Sequence, residues 1–357
     1  MGAFTSPSVL EYAPDCWFPL AHAEAIAQCE GMELEALCDP GEEALAKAAA
    51  HYGVARTYRD HRALLADGAP TLAAIATRTI GRADIILDCI AAGARALHVE
   101  KPVCNSVAEL ERIEAALARE DIFITLGAVR RHFAIYREAV ARARSGAFGR
   151  FNAAHAEFGP RTLFWSHPHT VDLILLAAAG AKVEAVQARL GAVERDGSTI
   201  INDPVVLGAT IWFEGGFSGL ITQMPGTDLR LACETAQIAV LNNGHSLWQS
   251  GAEKPAPDAP RTSNPAGDNP YHDPVRIDFA PASQPQGTLA PIRQLVDALS
   301  GDADAIAANR ALKSDIATGQ RILFAMVQSH LEGGQPVTLD AIDPKMMVEG
   351  RTGQFFA

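Results

Sequence analysis

The sequence has little of what marks a membrane-spanning, secreted or nucleic-acid-binding protein. No apolar run in its 357 residues approaches the roughly 20 residues that are needed to cross a bilayer. The formal net charge is −12 without a basic stripe, which argues against a nucleic-acid partner. The first residues lack the basic and apolar segments of a secretory signal. We therefore expect a cytoplasmic protein that acts on a small polar molecule, with no nucleic acid and no membrane as partner.

Paired cysteines are also lacking. The six cysteines are scattered, without a Cys-x-x-Cys pair or the His/Cys spacing of a zinc site. This pattern is typical of reduced core thiols, so we expect neither a disulfide framework nor a metal. Cys104 is the exception to watch because it follows Lys101 into the predicted cleft, although a packing role is favoured over reactivity.

The first part of the chain has a regular alternation of short apolar strands and helices. A helical apolar pattern covers residues 17–29, and further helices lie between the strands. Strands are predicted at residues 32–38, 55–58, 71–77, 94–99 and 122–126. This alternation predicts βαβ units and a doubly wound parallel sheet of the Rossmann type over residues 1–128.

From residue 129 the pattern predicts an α+β domain with a large, mostly antiparallel sheet that extends to residue 357. The turn Glu214-Gly215-Gly216 separates two strands and predicts a hairpin. Residues 251–287 show no periodicity and are predicted to form a long loop. Strands are predicted at residues 151–158, 183–190, 205–213, 217–223 and 235–241, and helices around residues 133–143, 168–179, 288–300 and 309–332.

The run from His98 to Val103 places charged side chains where a buried strand ends. Glu100 and Lys101 leave the carboxyl end of that strand, which is where open α/β sheets bind ligands. Pro102 stops the strand directly after the lysine. A partly desolvated lysine there can exchange a proton with a substrate hydroxyl. Taken alone, a solvated lysine in a turn would be the simpler interpretation.

A second candidate group begins a later helix. His169 and Asp172 are three residues apart and share a helix face. An imidazole whose pKa lies near the working pH can take the proton of a substrate hydroxyl, and Asp172 could orient the ring. The alternative is a histidine that bonds the backbone at the start of the helix.

Taken in order, these motifs resemble the Gfo/Idh/MocA oxidoreductases, a family of nicotinamide-dependent sugar, cyclitol and related dehydrogenases. Each motif is weak alone, whereas their order and spacing cover nearly the whole chain. The matching motifs are Asp39 at a strand end, Ile75-Ala-Thr77, the HVEKP run, Arg130-Arg-His-Phe133, the turn SGAFG, His169-Thr-Val-Asp172 and the closing pattern SHLEGGQPVTL.

The resemblance implies an NAD-binding domain, a substrate cleft and a set of site residues. NAD is expected rather than NADP because Asp39 can accept bonds from ribose hydroxyls and would repel a 2′-phosphate. A strand-end aspartate that caps the next helix is the alternative for Asp39. The implied catalytic residues are Lys101, His169, Asp172 and His167; the cofactor-binding residues are Asp39, Pro40, Thr77, Arg78, Arg82, Glu100, Lys101 and Pro102; the substrate-binding residues are Arg131 and Trp165.

The sequence departs from the family at three points. Trp165 stands where many relatives have an aspartate, so an acid–base partner is missing or is supplied by His167. Arg82 stands where they often have a histidine, beside a loop of different sequence. Most seriously, the stretch before residue 20 has no glycine-rich turn. Either 8–12 is a poor first strand, or Met1-Gly-Ala-Phe4 ends a turn whose strand lies further upstream.

We therefore carry two hypotheses. The first is an NAD(H)-dependent dehydrogenase that oxidises a secondary alcohol of a sugar, cyclitol or related small ring compound, with a semialdehyde or an aromatic acid as further substrate options. The second is a redox-silent member that acts as a small-molecule binding or regulatory module.

We also expect a homodimer or homotetramer. The prediction puts Leu207, Ile211 and Phe213 on one face of a strand and Val206, Gly208 and Trp212 on the other. Such a two-faced apolar strand requires cover on both sides, and a second subunit would supply it.

Overall fold

The structure is a computed structural model that describes residues 2–5, 10, 17–251, 274–278 and 287–350. Apart from Leu10, the predicted first strand at 8–12 lies outside these residues, as does most of the predicted long loop at 251–287.

The first part of the chain alternates strands and helices, as the sequence predicts. The helix predicted at 17–29 begins only at His22, after the extended N-cap residue Ala21, and the strand predicted at 32–38 is shortened to its last three residues. The elements are α1 (His22–Gln28), β1 (Ala36–Cys38), α2 (Glu42–Tyr52), β2 (Arg56–Tyr58), α3 (His61–Ala66), β3 (Leu72–Ile75), α4 (Arg82–Ala92), β4 (Ala96–Val99), α5 (Val107–Leu117) and β5 (Phe123–Leu126).

The parallel sheet is present in two pieces. β1 pairs with β2, and β3, β4 and β5 pair in that order, all in parallel register. β4 and β5 are buried at every position, whereas Ala73 and Ala74 on β3 are half-buried. Within the described residues no strand pairs with both β1 and β3, so the two pieces are separate there.

The second part is an α+β structure, and the predicted fold class is confirmed. A 3-10 turn (Val129–His132) connects the two parts. The elements are α6 (Ala134–Arg144), β6 (Phe151–Glu157), α7 (Leu163–Ser166), α8 (Pro168–Ala178), β7 (Val183–Leu190), β8 (Arg195–Asp196), β9 (Thr199–Ile200), β10 (Val206–Phe213), β11 (Ser218–Thr222), β12 (Asp228–Cys233), β13 (Ala236–Leu241), β14 (Ser246–Gly251), β15 (Val275–Ile277), α9 (Leu289–Leu299), α10 (Ala303–Leu331), a 3-10 turn (Leu339–Ala341) and β16 (Met347–Val348).

An eight-stranded sheet dominates this part, in the order β15-β14-β13-β12-β6-β11-β10-β7. All neighbours are antiparallel except β6 and β11. The predicted hairpin at Glu214-Gly215-Gly216 joins β10 to β11, and both glycines adopt positive φ. β12, which lies in the middle of the sheet, was not predicted from the sequence.

The predicted faces of β10 were wrong at its start. Val206 is buried and Leu207 is 48% exposed, the reverse of the expected alternation with Ile211 and Phe213. A register shift in the pairing with β7 falls between Val206 and Gly208, so Leu207 is an extra bulge residue. Trp212 remains half-buried on the outward face.

The long helix α10 connects the two sheets. It packs on β7 of the large sheet and on β5 of the parallel sheet. Asn309 is fully buried on this helix, and its side-chain amide both accepts from the Ile124 N–H (3.1 Å) and donates to the Ile124 carbonyl (2.8 Å). Because this pair satisfies polar groups that water cannot reach, it holds α10 against the parallel sheet.

Candidate active site

The candidate site lies where three parallel strands end side by side. The register pairs Ile75 of β3 with Val99 of β4, and Val99 with Leu126 of β5. The chain that follows each strand therefore leaves the sheet at one edge, which is the ligand-binding edge of an open parallel sheet. This edge carries Thr77 and the pair Glu100-Lys101.

Lys101 is buried, and its amine is held by Trp165. The Lys101 Nζ donates to the Trp165 carbonyl at 2.8 Å and lies 3.5 Å from the centroid of the indole ring. Burial lowers the pKa of Lys101 to about 8, with Glu100 opposing the shift and Arg82 adding to it. A lysine with such a pKa can exchange a proton near neutral pH.

Glu100 is held in its ionised form beside the lysine. Burial alone would raise its pKa, but the hydrogen bond with His22 holds that pKa well below the usual range. The His22 Nε2 lies 3.2 Å from the Glu100 Oε1, and the Lys101 N–H donates to the other carboxylate oxygen at 3.2 Å. A Cβ at Gly127 would lie 2.8 Å from that oxygen, so only glycine leaves room for the carboxylate.

Arg82 does not face the crevice as a cofactor contact. Its side chain is fully buried, and its guanidinium donates to the backbone carbonyls of Thr77, Glu100 and Pro102, with the Glu100 bond at 2.9 Å. Burial lowers its pKa to about 10. The prediction of Arg82 as a cofactor ligand is thus corrected: it connects the loops after β3 and β4.

Two histidines flank the start of α8. His167 is fully buried, its Nδ1 lies 3.0 Å from the Thr170 hydroxyl, and burial lowers its pKa to about 4. His169 is half-buried, and its pKa lies well below the usual value because of burial and of the nearby charges of Arg130 and Lys101. His169 is therefore a neutral imidazole within electrostatic reach of the lysine, and a neutral ring can accept a proton.

Asp172 does not orient the His169 ring. Its Oδ1 lies 2.9 Å from the Arg131 Nε, and the Arg131 Nη2 donates to Asp315 at 2.9 Å and to the Asp172 carbonyl at 3.1 Å. Burial raises the pKa of Asp172 to about 6, partly offset by Arg131. The prediction for Asp172 is thus corrected, and so is the role of Arg131, whose guanidinium is taken up by this ion cluster rather than presented to a substrate.

The residues after β1 remain accessible. Asp39 and Pro40 are exposed; the Asp39 Oδ1 accepts from the Gly41 N–H at 2.7 Å, and the Pro40 carbonyl accepts from Arg59. Arg78, after β3, is exposed as well. Asp39 bonds the N–H of Gly41, the residue before α2, and gives no side-chain cap to the helix itself, and its second carboxylate oxygen can still accept from a ribose hydroxyl.

The turn before α1 fits a dinucleotide less well than the strand ends do. Trp17 is buried there, with the Arg130 guanidinium 4.7 Å from its ring. The Ala23 N–H donates to the Gly2 carbonyl at 3.0 Å, and Thr288 donates to the Pro19 carbonyl at 2.8 Å. The residues present thus fit the adenosine ribose at Asp39 and the reacting end at Lys101, while the described part of the turn has no glycine.

Three residues of this region were not identified from the sequence. His22 pairs with Glu100, Asp315 completes the Arg131 cluster, and Asp203 accepts from the N–H groups of Phe164 and Trp165. Asp203 precedes a proline in a turn-like sequence, which indicates a loop but not its contact. His22 and Asp315 lie in helices without a motif, so no local signal marks them.

Two further properties of the described chain concern metals and membranes. Within residues 2–5, 10, 17–251, 274–278 and 287–350, no cluster of three or more His, Cys, Asp or Glu side chains could hold a metal ion. No helix among these residues has the length and apolar character needed to span a bilayer.

Residues 17–127 match the model of a known family, described as an oxidoreductase family with an NAD-binding Rossmann fold, Gfo/Idh/MocA. The resemblance predicted from the sequence is thus confirmed over these residues. Comparison with the curated proteins finds no match.

Solved structures share the fold over most of the chain. An oxidoreductase from Agrobacterium radiobacter, in complex with NAD+, L-tartaric acid and magnesium, has a TM-score of 0.65 at 18% identity and covers 90% of this chain and 95% of its own. The WlbA dehydrogenase from Bordetella pertussis, with NADH and UDP-GlcNAcA, has a TM-score of 0.64 at 19% identity, with 89% and 95% covered. An aldose-aldose oxidoreductase from Caulobacter crescentus, complexed with glycerol, has a TM-score of 0.68 at 16% identity, with 89% and 95% covered.

Proposed function

We propose that this chain, whose residues 17–127 match the model of the Gfo/Idh/MocA oxidoreductases, is an NAD(H)-dependent dehydrogenase that oxidises a secondary alcohol of a sugar, cyclitol or related small ring compound. The observation that carries the proposal is the buried amine of Lys101 at the crevice edge, held by Trp165 and close enough to His169 for its charge to lower the pKa of that imidazole. The lysine pKa is lowered to about 8 by burial, and the nearby imidazole is neutral. One group is poised to donate and the other to accept a proton.

The residues divide the work at the reacting carbon. A bound nicotinamide would supply the acceptor for the hydride of this carbon. His169 takes the hydroxyl proton, since its Nδ1 has no hydrogen-bond partner within the described residues. The Lys101 ammonium has three N–H donors, and its bond to Trp165 leaves the others for the substrate oxygen.

The test of this role has a binding part and a kinetic part. NADH fluorescence should show binding to the wild-type chain, and Lys101→Ala and His169→Ala should each lower turnover by about 10²–10⁴-fold while thermal stability stays close to wild type. Exposed residues supply the controls, Lys182→Ala and His245→Ala, which should leave turnover unchanged. A loss of tenfold or less in both site variants would contradict this assignment and point to His167 as the base.

We propose NAD rather than NADP on the basis of Asp39. Its exposed carboxylate at the end of β1 would accept from the ribose hydroxyls and repel a 2′-phosphate. Asp39→Ala should therefore weaken NAD binding more than NADP binding in calorimetric titrations. An unchanged preference would leave Asp39 with only its local hydrogen bond from the Gly41 N–H.

A second candidate function is a redox-silent binding module. It is favoured by the turn before α1, where Trp17 is buried and the described residues carry no glycine. The enzyme is preferred because the whole run around Lys101 is retained. Absence of NAD(H) binding by a folded sample would reverse this preference.

The substrate class within the enzyme proposal rests on the crevice side chains. Sugar-related proteins among the structural neighbours support a polar ring alcohol. The half-buried Trp165 also suits an aromatic acid or a semialdehyde, whereas Phe164 is fully buried against Phe324 at 5.7 Å and cannot line the pocket. A substrate screen with NAD reduction as readout separates these classes.

We also propose a homodimer or homotetramer formed through the outward face of the large sheet. Trp212, Leu220 and Thr210 are half-buried on that face, and Leu207 is exposed at its edge. An isologous contact would cover these side chains. Light scattering at micromolar concentration tests it, since a mass near 37.9 kDa would correspond to one chain and overturn the proposal.

A further inference from the structure

We propose that Asp203 is a positioning residue for Lys101 and that it acts through Trp165. The inference rests on the proposed function, in which the Lys101 amine meets the substrate oxygen. Asp203 itself lies in the loop between β9 and β10, and the contacts that connect it to Lys101 pass through the one-turn helix α7.

The loop between β9 and β10 holds the start of α7 through three hydrogen bonds. Asp203 uses both carboxylate oxygens, accepting from the Phe164 N–H at 2.8 Å and from the Trp165 N–H at 3.0 Å. The Leu163 N–H donates to the next carbonyl of the same loop, that of Pro204, at 2.9 Å. The first three N–H groups of α7 have no partner within a helix of this length, so the loop supplies all three acceptors.

The stability of α7 depends on this loop. The helix has four residues, and two N–H groups at its end donate back into the turn, those of Ser166 and His167, each at 3.1 Å. A single turn is unstable in isolation because nucleation fixes several residues for few bonds. The position of Trp165 is therefore set by external contacts, of which the Asp203 carboxylate is one.

Trp165 contacts the Lys101 amine with two of its groups. The same residue offers its carbonyl to the Lys101 Nζ at 2.8 Å and its indole face at 3.5 Å from that atom. A cation over an aromatic face is attracted to it, and the carbonyl adds direction to that attraction. Lys101 is thus oriented by two groups of one residue, both of which move if α7 moves.

Charge supports the same arrangement. The ionisable groups that act on the Lys101 amine are Glu100, Arg82, Arg130 and Asp203, and the amine in turn acts on His169. The carboxylates of Glu100 and Asp203 raise the pKa of Lys101 against the stronger effect of burial. Asp203 therefore places a negative charge close to the amine that it helps to orient.

The first test reads the amine directly and needs no activity. The rate of Lys101 acetylation by acetic anhydride is followed by peptide mass spectrometry in wild type, Asp203→Ala and Asp203→Asn. Loss of the carboxylate should release α7, expose the amine and raise the labelling rate several-fold in the alanine variant. The asparagine variant keeps one acceptor oxygen and should fall between alanine and wild type. If the alanine variant does not fold, the asparagine variant decides.

A matched control separates positioning from the loss of any helix cap. Asp302 accepts from the Ala305 N–H at 2.8 Å at the exposed start of α10, so Asp302→Ala removes the same kind of bond elsewhere. The rate of Lys101 acetylation in this control variant should equal that in wild type. An unchanged labelling rate in both Asp203 variants, or an equal rise in Asp302→Ala, overturns the proposal.

The second test asks whether Asp203 acts through Lys101 during turnover. Asp203→Ala should lower kcat by about 10- to 100-fold with a smaller change in KM, because misplacement of an acid–base group affects the reacting geometry. In a Lys101→Ala background the same substitution should add little, since the group it positions is gone. If Asp203→Ala lowers kcat by the same factor in the Lys101→Ala background as in wild type, the proposal is overturned. If neither variant nor wild type turns over, the proposed function fails, while the labelling result still decides the positioning role.

Discussion

Arg82 and Arg131 are both removed from solvent, yet the two regions around them compensate for a buried positive charge differently. At the edge of the parallel sheet, Arg82 donates to backbone carbonyls of the two loops after β3 and β4. Between the two parts of the chain, Arg131 meets the carboxylates of Asp172 and Asp315. The first arrangement fixes loops, and the second joins helices α8 and α10.

The pKa values of the two arginines reflect this difference in their partners. Burial lowers the pKa of Arg82 to about 10, with the Glu100 charge as the main opposing influence. Burial acts in the same direction on Arg131, but the two carboxylates outweigh it, so the pKa of Arg131 is raised. Carbonyl dipoles satisfy a guanidinium without balancing its charge, whereas paired carboxylates do both. The cluster at Arg131 is therefore the more sensitive to the loss of one member.

The largest effect is expected for Arg131→Met. Asp172 and Asp315 would lose their shared buried cation, so the free energy of unfolding should fall by about 3–5 kcal/mol. Urea unfolding followed by circular dichroism measures the loss. Arg119→Met is the control, because the Arg119–Asp121 pair is half exposed and should contribute little. Equal losses in the two variants would show that the buried cluster has no special weight.

A smaller loss is expected for Arg82→Met. Three carbonyls would lose their donor, but no carboxylate would be left without its direct ion-pair partner, so a decrease of about 1–3 kcal/mol is expected. The same urea titration gives the value. Arg82→Lys should recover part of it, since one ammonium can reach some of the carbonyls. A loss as large as that of Arg131→Met would mean that the charge of Arg82, not its hydrogen bonds, determines its contribution.

The smallest effect concerns the pH dependence of Asp172. Its pKa is raised to about 6 in the folded chain, so the protonated form stabilises the fold at low pH and that contribution is lost as the pH rises through about 6. Asp172→Asn imitates the protonated form. Its stability relative to wild type should increase by about 1–2 kcal/mol between pH 4 and pH 7. Thermal melts across this range report it, and a difference that shrinks with pH would show that the pairing with Arg131 outweighs burial.

The contrast between the two arginines also shows what was predictable. The arrangement of strands and helices around β3, β4 and β5 followed from local apolar patterns, and so did the position of Lys101 at a strand end. The sequence motifs pointed to Arg82 and Arg131 as ligand contacts because both lie beside the crevice in chain order. Their guanidinium groups turn to carbonyls and carboxylates that the sequence does not place near them.

Other features that the sequence did not predict also depend on contacts between distant parts of the chain. β12 was missed, and the alternation on β10 failed at Leu207, where a bulge shifts the register against β7. A bulge depends on the pairing of two strands, not on the residues of one. Asp203 was overlooked because its contact with α7 arises from a loop that lies about 40 residues further along the chain.

The sequence by itself determined the strand–helix order, the carboxyl-edge position of Glu100 and Lys101, and the glycine-free turn before α1, because hydrophobic period and turn chemistry act over a few residues. Tertiary structure decided which charges meet. Asp172 pairs with Arg131 and Asp315 rather than with His169, and the amine of Lys101 is oriented by Trp165, itself held by Asp203. Buried polar groups must find partners wherever the packing brings them, and sequence spacing does not encode that encounter.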